Sequence, residues 1–270
     1  MKTLYPCLGA IVGDTVGSVY EYKNIDHTHF ALFSTKSNYT DDSIMTIAVA
    51  DWLVSTDRSP KALEEKLVLW ASKYPHPKGA YGGMFRAWLF NPGNEERHPY
   101  NSWGNGSAMR ASACGWVAHS LEEALDLGKR SAEITHNHPE GIKGAQAVAA
   151  AIFLARQGET KEAIRDYIGQ QFGYYLHTTC DAIRPTYGWE ASCQGTVPPA
   201  FVAWLDSTDF ESAVRLAVSL GGDSDTLACI TGGIAQAFYN DIPEPIIQEM
   251  RTILPEEFWD VMTRLSDCID

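Results

Sequence analysis

An all-α fold follows from three features of this sequence. The alternation of apolar and polar residues that marks a half-buried strand is nearly absent. Apolar residues recur instead at three- and four-residue spacing in segment after segment, and the connections between segments are short, polar or glycine-bearing. No Pro/Gly/Ser linker, low-complexity tract or solenoid period of roughly 30–45 residues divides the 270 residues, so a single domain over residues 1–270 is expected.

The elements follow in order. Gly9, Gly13 and Gly17 are spaced four apart in a helical stretch, although each glycine costs roughly 1 kcal/mol against alanine in a helix. Close approach of a second helix is the simplest reason to accept that cost. Ser43 to Val54 is apolar at helical spacing, and Pro60 to Tyr74 opens on Ser59-Pro60, a cap followed by a first-turn proline. Leu121 to Ile134, Gly144 to Arg156, Lys161 to Phe172, Phe210 to Leu220, Leu227 to Tyr239 and Glu256 to Asp267 read the same way. Small residues collect in two of them, as Ala145, Ala147, Ala149 and Ala150 and as Gly232, Gly233 and Ala235. The least regular stretches, Asn91 to Asn105 and Tyr174 to Pro199, are expected to line a site.

Composition removes several function classes. Hydrophobic residues at 45%, charged residues at 20% and eight tryptophans exclude a disordered chain. The net charge of −13 disfavours nucleic-acid backbone and anionic membrane as partners. No run of about 18 apolar residues is present, so no membrane span is expected. Gly13-Asp14 interrupts the apolar N-terminal stretch before a signal-like core forms. The six cysteines are scattered without a Cys-x-x-Cys pair, which favours free thiols and a cytoplasmic protein.

Two acidic clusters carry the chemistry. Thr40-Asp41-Asp42-Ser43 and Gly221-Gly222-Asp223-Ser224-Asp225-Thr226 each stand directly before a helical apolar run. Each has a plain structural reading, because Thr, Asp and Ser cap helices and first-turn carboxylates complement the helix dipole. A cap needs one side chain, however, and each cluster offers two carboxylates flanked by hydroxyls. Crowded carboxylates repel unless a cation lies between them. Oxygen donors without cysteine or histidine suit Mg²⁺ or Mn²⁺ rather than zinc. If the two helix starts converge, four carboxylates and two threonines match the ligand demand of a two-metal hydrolase.

Gly9-Ala10-Ile11-Val12-Gly13-Asp14-Thr15-Val16-Gly17-Ser18-Val19-Tyr20-Glu21, Thr40-Asp41-Asp42-Ser43, Gly104-Asn105-Gly106-Ser107-Ala108-Met109-Arg110, Thr135-His136 and the Gly221–Thr226 cluster occur in one order. In that order they resemble the ADP-ribosylglycohydrolase family, over residues 9 to about 238. The resemblance implies a compact orthogonal helical bundle with a binuclear Mg²⁺ or Mn²⁺ centre in a cleft. It implies Thr40, Asp41, Asp42, Asp223, Asp225 and Thr226 as metal ligands, and Glu21, Asp41 and Asp223 as candidates for the general acid or base. It implies that Asn101, Ser102, Trp103, Gly104, Asn105 and Gly106 wrap the diphosphate and distal ribose, with His136 near the ADP moiety.

The residues themselves agree less specifically. Glycines at 104 and 106 let backbone N–H groups approach phosphate, yet an ordinary turn with a helix cap reads the same way. Arg110 suits either a phosphate or the acidic clusters. The implied activity is hydrolysis of the bond between ADP-ribose and an acceptor, such as arginine, serine or a small conjugate, by a cytoplasmic monomer. A binuclear-metal diphosphate hydrolase and a non-catalytic ADP-ribose-binding homologue are the alternatives.

Overall fold

The computed structural model describes residues 4–90 and 96–269, and among them the regular structure is helical. The chain runs through α1 (Leu8–Gly17), α2 (Asp41–Leu53), α3 (Pro60–Lys73), α4 (Gly83–Phe90) and α5 (Gly106–Met109). It continues through α6 (Ser112–Val117), α7 (Leu121–Glu133), α8 (Pro139–Arg156), α9 (Lys161–Phe172) and α10 (Cys180–Ile183). The last five are α11 (Cys193–Asp206), α12 (Phe210–Ser219), α13 (Ser224–Tyr239), α14 (Glu244–Ile253) and α15 (Glu256–Ser266). Outside the helices, backbone pairing among the described residues is limited to two isolated bridges, Thr40 with Lys78 and Gly104 with Ser192.

Local signals start many of these helices. The side chains of Ser59, Ser120, Thr160 and Ser192 each accept a hydrogen bond from a first-turn N–H, and Asp209 with Ser212 closes a capping box. The helices are then fixed by what they bury. Helix α13 is buried from Ser224 to Ala237 and packs against α1, α8, α11 and α12. Its contact with α1 explains the spaced glycines. A Cβ on Gly13 would sit 1.9 Å from the Ala228 carbonyl oxygen, and one on Gly9 would sit 2.3 Å from that of Gly232. The two backbones touch, and side chains at these positions would force them apart.

Helix α2 is held at its far end by a buried carboxylate. Asp51, 5% exposed, accepts hydrogen bonds from Lys66 Nζ at 2.8 Å, Trp70 Nε1 at 3.1 Å and Arg264 Nη2 at 3.1 Å, joining α2 to α3 and α15. These cations hold its pKa below the ordinary carboxylate range against the opposing effect of burial.

The expected helices are present, with three differences. Helix α8 begins at Pro139 rather than Gly144, because Pro139 suits a first turn and the His138 ring accepts the Glu140 N–H. Helix α11 occupies part of the stretch expected to be irregular and passes through Pro198 and Pro199. Each proline removes one ladder hydrogen bond, but burial of Val197, Ala200, Phe201 and Trp204 keeps the segment helical. Helices α4, α6, α10 and α14 had no expectation, and residues 91–95 of the first irregular stretch lie outside the described residues. All six cysteines are free, as expected. No helix among the described residues is long and apolar enough to cross a membrane.

Candidate active site

The close contact of α1 and α13 places the two acidic clusters beside each other. A Cβ on Gly17 would lie 2.4 Å from the Ser224 carbonyl oxygen and 2.5 Å from Asp225 Cα, so the end of α1 abuts the start of α13. The chain leaving α1 carries Glu21, and carboxylate oxygens of Glu21, Asp223 and Asp225 lie within 4.8 Å of one another. Asp41 and Asp42 line the same cavity, of about 410 Å³, as does Thr226. The convergence that the sequence left open therefore occurs.

Asp14, on α1, fixes the second side. Fully buried, it accepts hydrogen bonds from the Thr40 N–H at 2.9 Å, the Thr40 hydroxyl at 2.7 Å, the Ser43 N–H at 3.1 Å and the Ser43 hydroxyl. Thr40 in turn accepts the Asp42 N–H at 3.1 Å and caps α2. Thr40 thus lies beneath the cavity as a cap, while Asp41 and Asp42 project from the first turn. The matching residue of the other cluster behaves differently: Asp223 stands at the N-cap of α13 without capping it. Capping does not account for these carboxylates.

Their electrostatics call for a cation. Asp41, Asp42 and Asp225 have pKa values well above the usual carboxylate range, first because they are desolvated and then because the neighbouring acids repel them. Glu21 is shifted the same way by burial and by the charges of Asp223 and Asp14. None of the ion pairs among the described residues involves these acids. Lys78, the cation whose charge they feel, donates to Ser18 Oγ at 2.9 Å and the Lys36 carbonyl at 2.6 Å instead. Asp42 Oδ2 is buried without a hydrogen-bond partner. An orphaned carboxylate oxygen in an all-oxygen cluster fits a hard divalent cation.

Much of the loop implied to bind substrate lines the same cavity. Ser102, Gly104, Asn105, Gly106 and His136 line the cavity. Asn101 and Trp103 lie outside its lining; Trp103 is 49% exposed and packs edge-on against His138. Two loop N–H groups are committed elsewhere, Gly104 to Ser102 Oγ at 3.1 Å and Asn105 to the Ala191 carbonyl at 2.9 Å. The Asn105 side chain donates to Asp223 Oδ2 at 2.8 Å and to Thr196 Oγ1 at 3.1 Å, joining the loop to the acidic cluster. Arg110 lines the cavity but forms no ion pair with either acidic cluster among the described residues; it is buried and donates to the Ser131 carbonyl and Thr135 Oγ1.

Sequence reasoning assigned no role to Asp14 behind this cavity or to two parts of its lining. Asp14 was one letter of a motif, and its partners lie 26 and 29 residues away. Residues 79–83, Gly-Ala-Tyr-Gly-Gly, form a further wall, and their glycine content was an available signal. Gly79 has φ +81°, and a Cβ there would meet Glu21 Oε2 at 3.2 Å. Tyr22 and Trp189, both exposed, stack at 5.7 Å between ring centroids and border the same cavity.

Comparison with known proteins identifies the family of this fold. The chain is 28% identical over 268 residues to the ADP-ribosylarginine hydrolase Tri1 of Pseudomonas putida (strain GB-1), covering 86% of this chain and 69% of that one. It is 25% identical over 314 residues to the ADP-ribosylhydrolase ARH3 of Homo sapiens, covering 88% and 86%. A solved structure described as an ADP-ribosylglycohydrolase-related protein complex shares the fold with a TM-score of 0.71 and 24% identity, over 97% of this chain and 95% of that chain. The family model for ADP-ribosylglycohydrolase matches residues 6–269, and the chain belongs to that family.

Proposed function

We propose that this protein is a metal-dependent hydrolase that releases ADP-ribose from an acceptor by cleaving the glycosidic bond. The observation that carries the reading is the cavity itself. Five carboxylates, none in an ion pair among the described residues, share the cavity with Ser102, Gly104, Asn105, Gly106, Arg110 and His136. Neither half has an evident purpose without the other.

In this reading Asp41, Asp42, Asp223, Asp225 and the hydroxyl of Thr226 hold two Mg²⁺ or Mn²⁺ ions, while Thr40, expected as a ligand, caps α2 behind them. Bound there, the ions supply Lewis-acid charge that lowers the pKa of water and binds ribose hydroxyls. The chain's own residues do the rest. Asp14 and Asn105 orient ligands from behind: Asp14 locks the Thr40–Ser43 turn, and Asn105 holds one oxygen of Asp223. Glu21 is the carboxylate we assign to proton transfer at the scissile bond. In the metal-free cavity, burial and then its acidic neighbours raise its pKa. The loop at residues 102–106 and His136 receive the ADP portion.

Arginine is the acceptor to test first, because relatives from Pseudomonas putida and Serratia proteamaculans are named ADP-ribosylarginine hydrolases. The protein is incubated with Mg²⁺ or Mn²⁺ and mono-ADP-ribosylated arginine and serine peptides, and the products are separated. Free ADP-ribose is expected; AMP would indicate diphosphate cleavage, and no product from either peptide would count against the hydrolase.

A further inference from the structure

Arg110 is a guanidinium with 0% exposure, and no carboxylate forms an ion pair with it among the described residues. Such a group is costly to bury, so its remaining contacts bear on why it is there. Its Nε and Nη2 donate to the Ser131 carbonyl at 3.2 and 2.7 Å, and Nη2 also donates to Thr135 Oγ1 at 2.7 Å. Thr135 Oγ1 lies 2.8 Å from His136 Nδ1 and 3.3 Å from the Ala132 carbonyl. The far side of the imidazole borders the cavity, where Nε2 faces Gly104 and Gly106. Cβ atoms at those glycines would lie 3.5 and 3.2 Å from it, so their absence leaves the approach to Nε2 open.

Counting donors reduces the arrangements of protons along this chain to two. A guanidinium only donates, so Thr135 Oγ1 accepts from Arg110. The hydroxyl has one hydrogen to give, to His136 Nδ1 at 2.8 Å or to the Ala132 carbonyl at 3.3 Å. Given along the shorter contact, it makes Nδ1 an acceptor and leaves the ring hydrogen on Nε2; given to Ala132, it leaves Oγ1 a second lone pair to accept a hydrogen from Nδ1. We propose that Arg110 and Thr135 are positioning residues that lock His136 in the Nε2–H tautomer, so that the ring offers a neutral N–H donor to a phosphoryl oxygen in the cavity. The phosphoryl partner rests on the glycohydrolase reading; the tautomer does not. Burial and the Arg110 charge both keep His136 unprotonated well below its ordinary pKa, consistent with a fixed neutral ring.

The test reads the tautomer directly. Full-length protein labelled with ¹⁵N at histidine is examined at neutral pH by long-range ¹H–¹⁵N correlation, and the His136 signals are assigned by their loss in His136→Gln. An Nε2–H pattern is expected in the wild type and in Thr135→Ser. Thr135→Val keeps the shape but removes the hydroxyl; it should lose the pure Nε2–H pattern and bind ADP-ribose about tenfold more weakly, with serine restoring both. An Nδ1–H wild-type ring overturns the proposal, as does a valine variant that retains both tautomer and affinity. Should the valine variant not fold, the wild-type spectrum still decides. An Nε2–H ring in a protein with no affinity for ADP-ribose supports the lock and overturns the functional reading instead.

Discussion

Helix α2 carries buried carboxylates at both ends, and the two ends are built in opposite ways. At the far end, Asp51 is met by Lys66, Trp70 and Arg264, so its charge is neutralised by the protein and its pKa falls. At the near end, Asp41 and Asp42 meet Asp225, Asp223 and Glu21 across the cavity, and the pKa values of Asp41 and Asp42 rise. Burial is similar for Asp51 and Asp42, at 5% and 3% exposure. Burial therefore does not separate structural from functional acid in this fold; the source of the countercharge does. Asp51 joins helices that are distant in sequence, whereas the near end is left short of positive charge in a way that destabilises the metal-free chain.

Single substitutions at the two ends should break in different currencies. The largest effect is expected on activity at the near end. Asp42→Asn or Asp225→Asn should lower hydrolysis by more than about a hundredfold, since even outer-sphere changes at metal sites cost 10–100-fold. The metal-free variant should melt at the same temperature as the wild type or higher, because one repelling charge is gone. Wild-type turnover in both variants would reduce the clusters to ordinary helix starts. Asp51→Asn should do the reverse. It removes the charge that Lys66 and Arg264 share, although Arg264 keeps Asp260, and should cost on the order of 1–2 kcal/mol by urea unfolding, with turnover per folded molecule unchanged.

How much of this contrast could be read from the sequence depends on distance along the chain. The near end was legible because Asp41-Asp42 and Asp223-Ser224-Asp225 are local clusters that exceed what a cap needs. The glycines of α1 were legible as a close contact, since their cost demanded one. Asp51 was not, because it sits inside an apolar helical run and its partners are 15, 19 and 213 residues away. Asp14 was missed for the same reason. Helix α11 was missed because Pro198 and Pro199 speak against a helix locally, while the burial that overrides them comes from other helices. Asn105 was read as part of a substrate loop, and its tie to Asp223, 118 residues on, is visible only in three dimensions.

Adding the missing charge sharpens the comparison at intermediate size. Mg²⁺ or Mn²⁺ at a hundred times its Kd should stabilise the wild type by about 2.7 kcal/mol, because a ligand that binds only the folded state adds by mass action. Asp51→Asn should gain the same increment from its lower starting point, whereas Asp42→Asn and Asp225→Asn should gain less. Differential scanning calorimetry with and without chelator measures all four. An equal metal response in every variant would mean that the ions bind elsewhere.

The smallest expected effect is in the acid limb of stability, where the two ends have opposite signs. Asp51 has a folded pKa below its unfolded value, so its contribution is present above the unfolded value of about 3.9 and is lost as pH falls through the lowered folded pKa. Asp41, Asp42 and Asp225 have folded values raised above the same reference. Protonating them favours the folded state, so their contribution is fully present below about 3.9 and is lost as pH rises through the raised folded values. In chelator, wild-type stability should therefore climb as the solution is acidified from neutrality and fall again below about 3.9, as Asp51 is protonated. Asp51→Asn should lack that part of the low-pH fall and keep the climb, whereas Asp225→Asn should keep the fall and show a shallower climb. Urea unfolding across pH 3 to 7 in chelator reads both limbs at once. A wild-type profile that only declines on acidification would show that the near-end carboxylates carry no repulsion to relieve, and the contrast between the ends of α2 would fail with it.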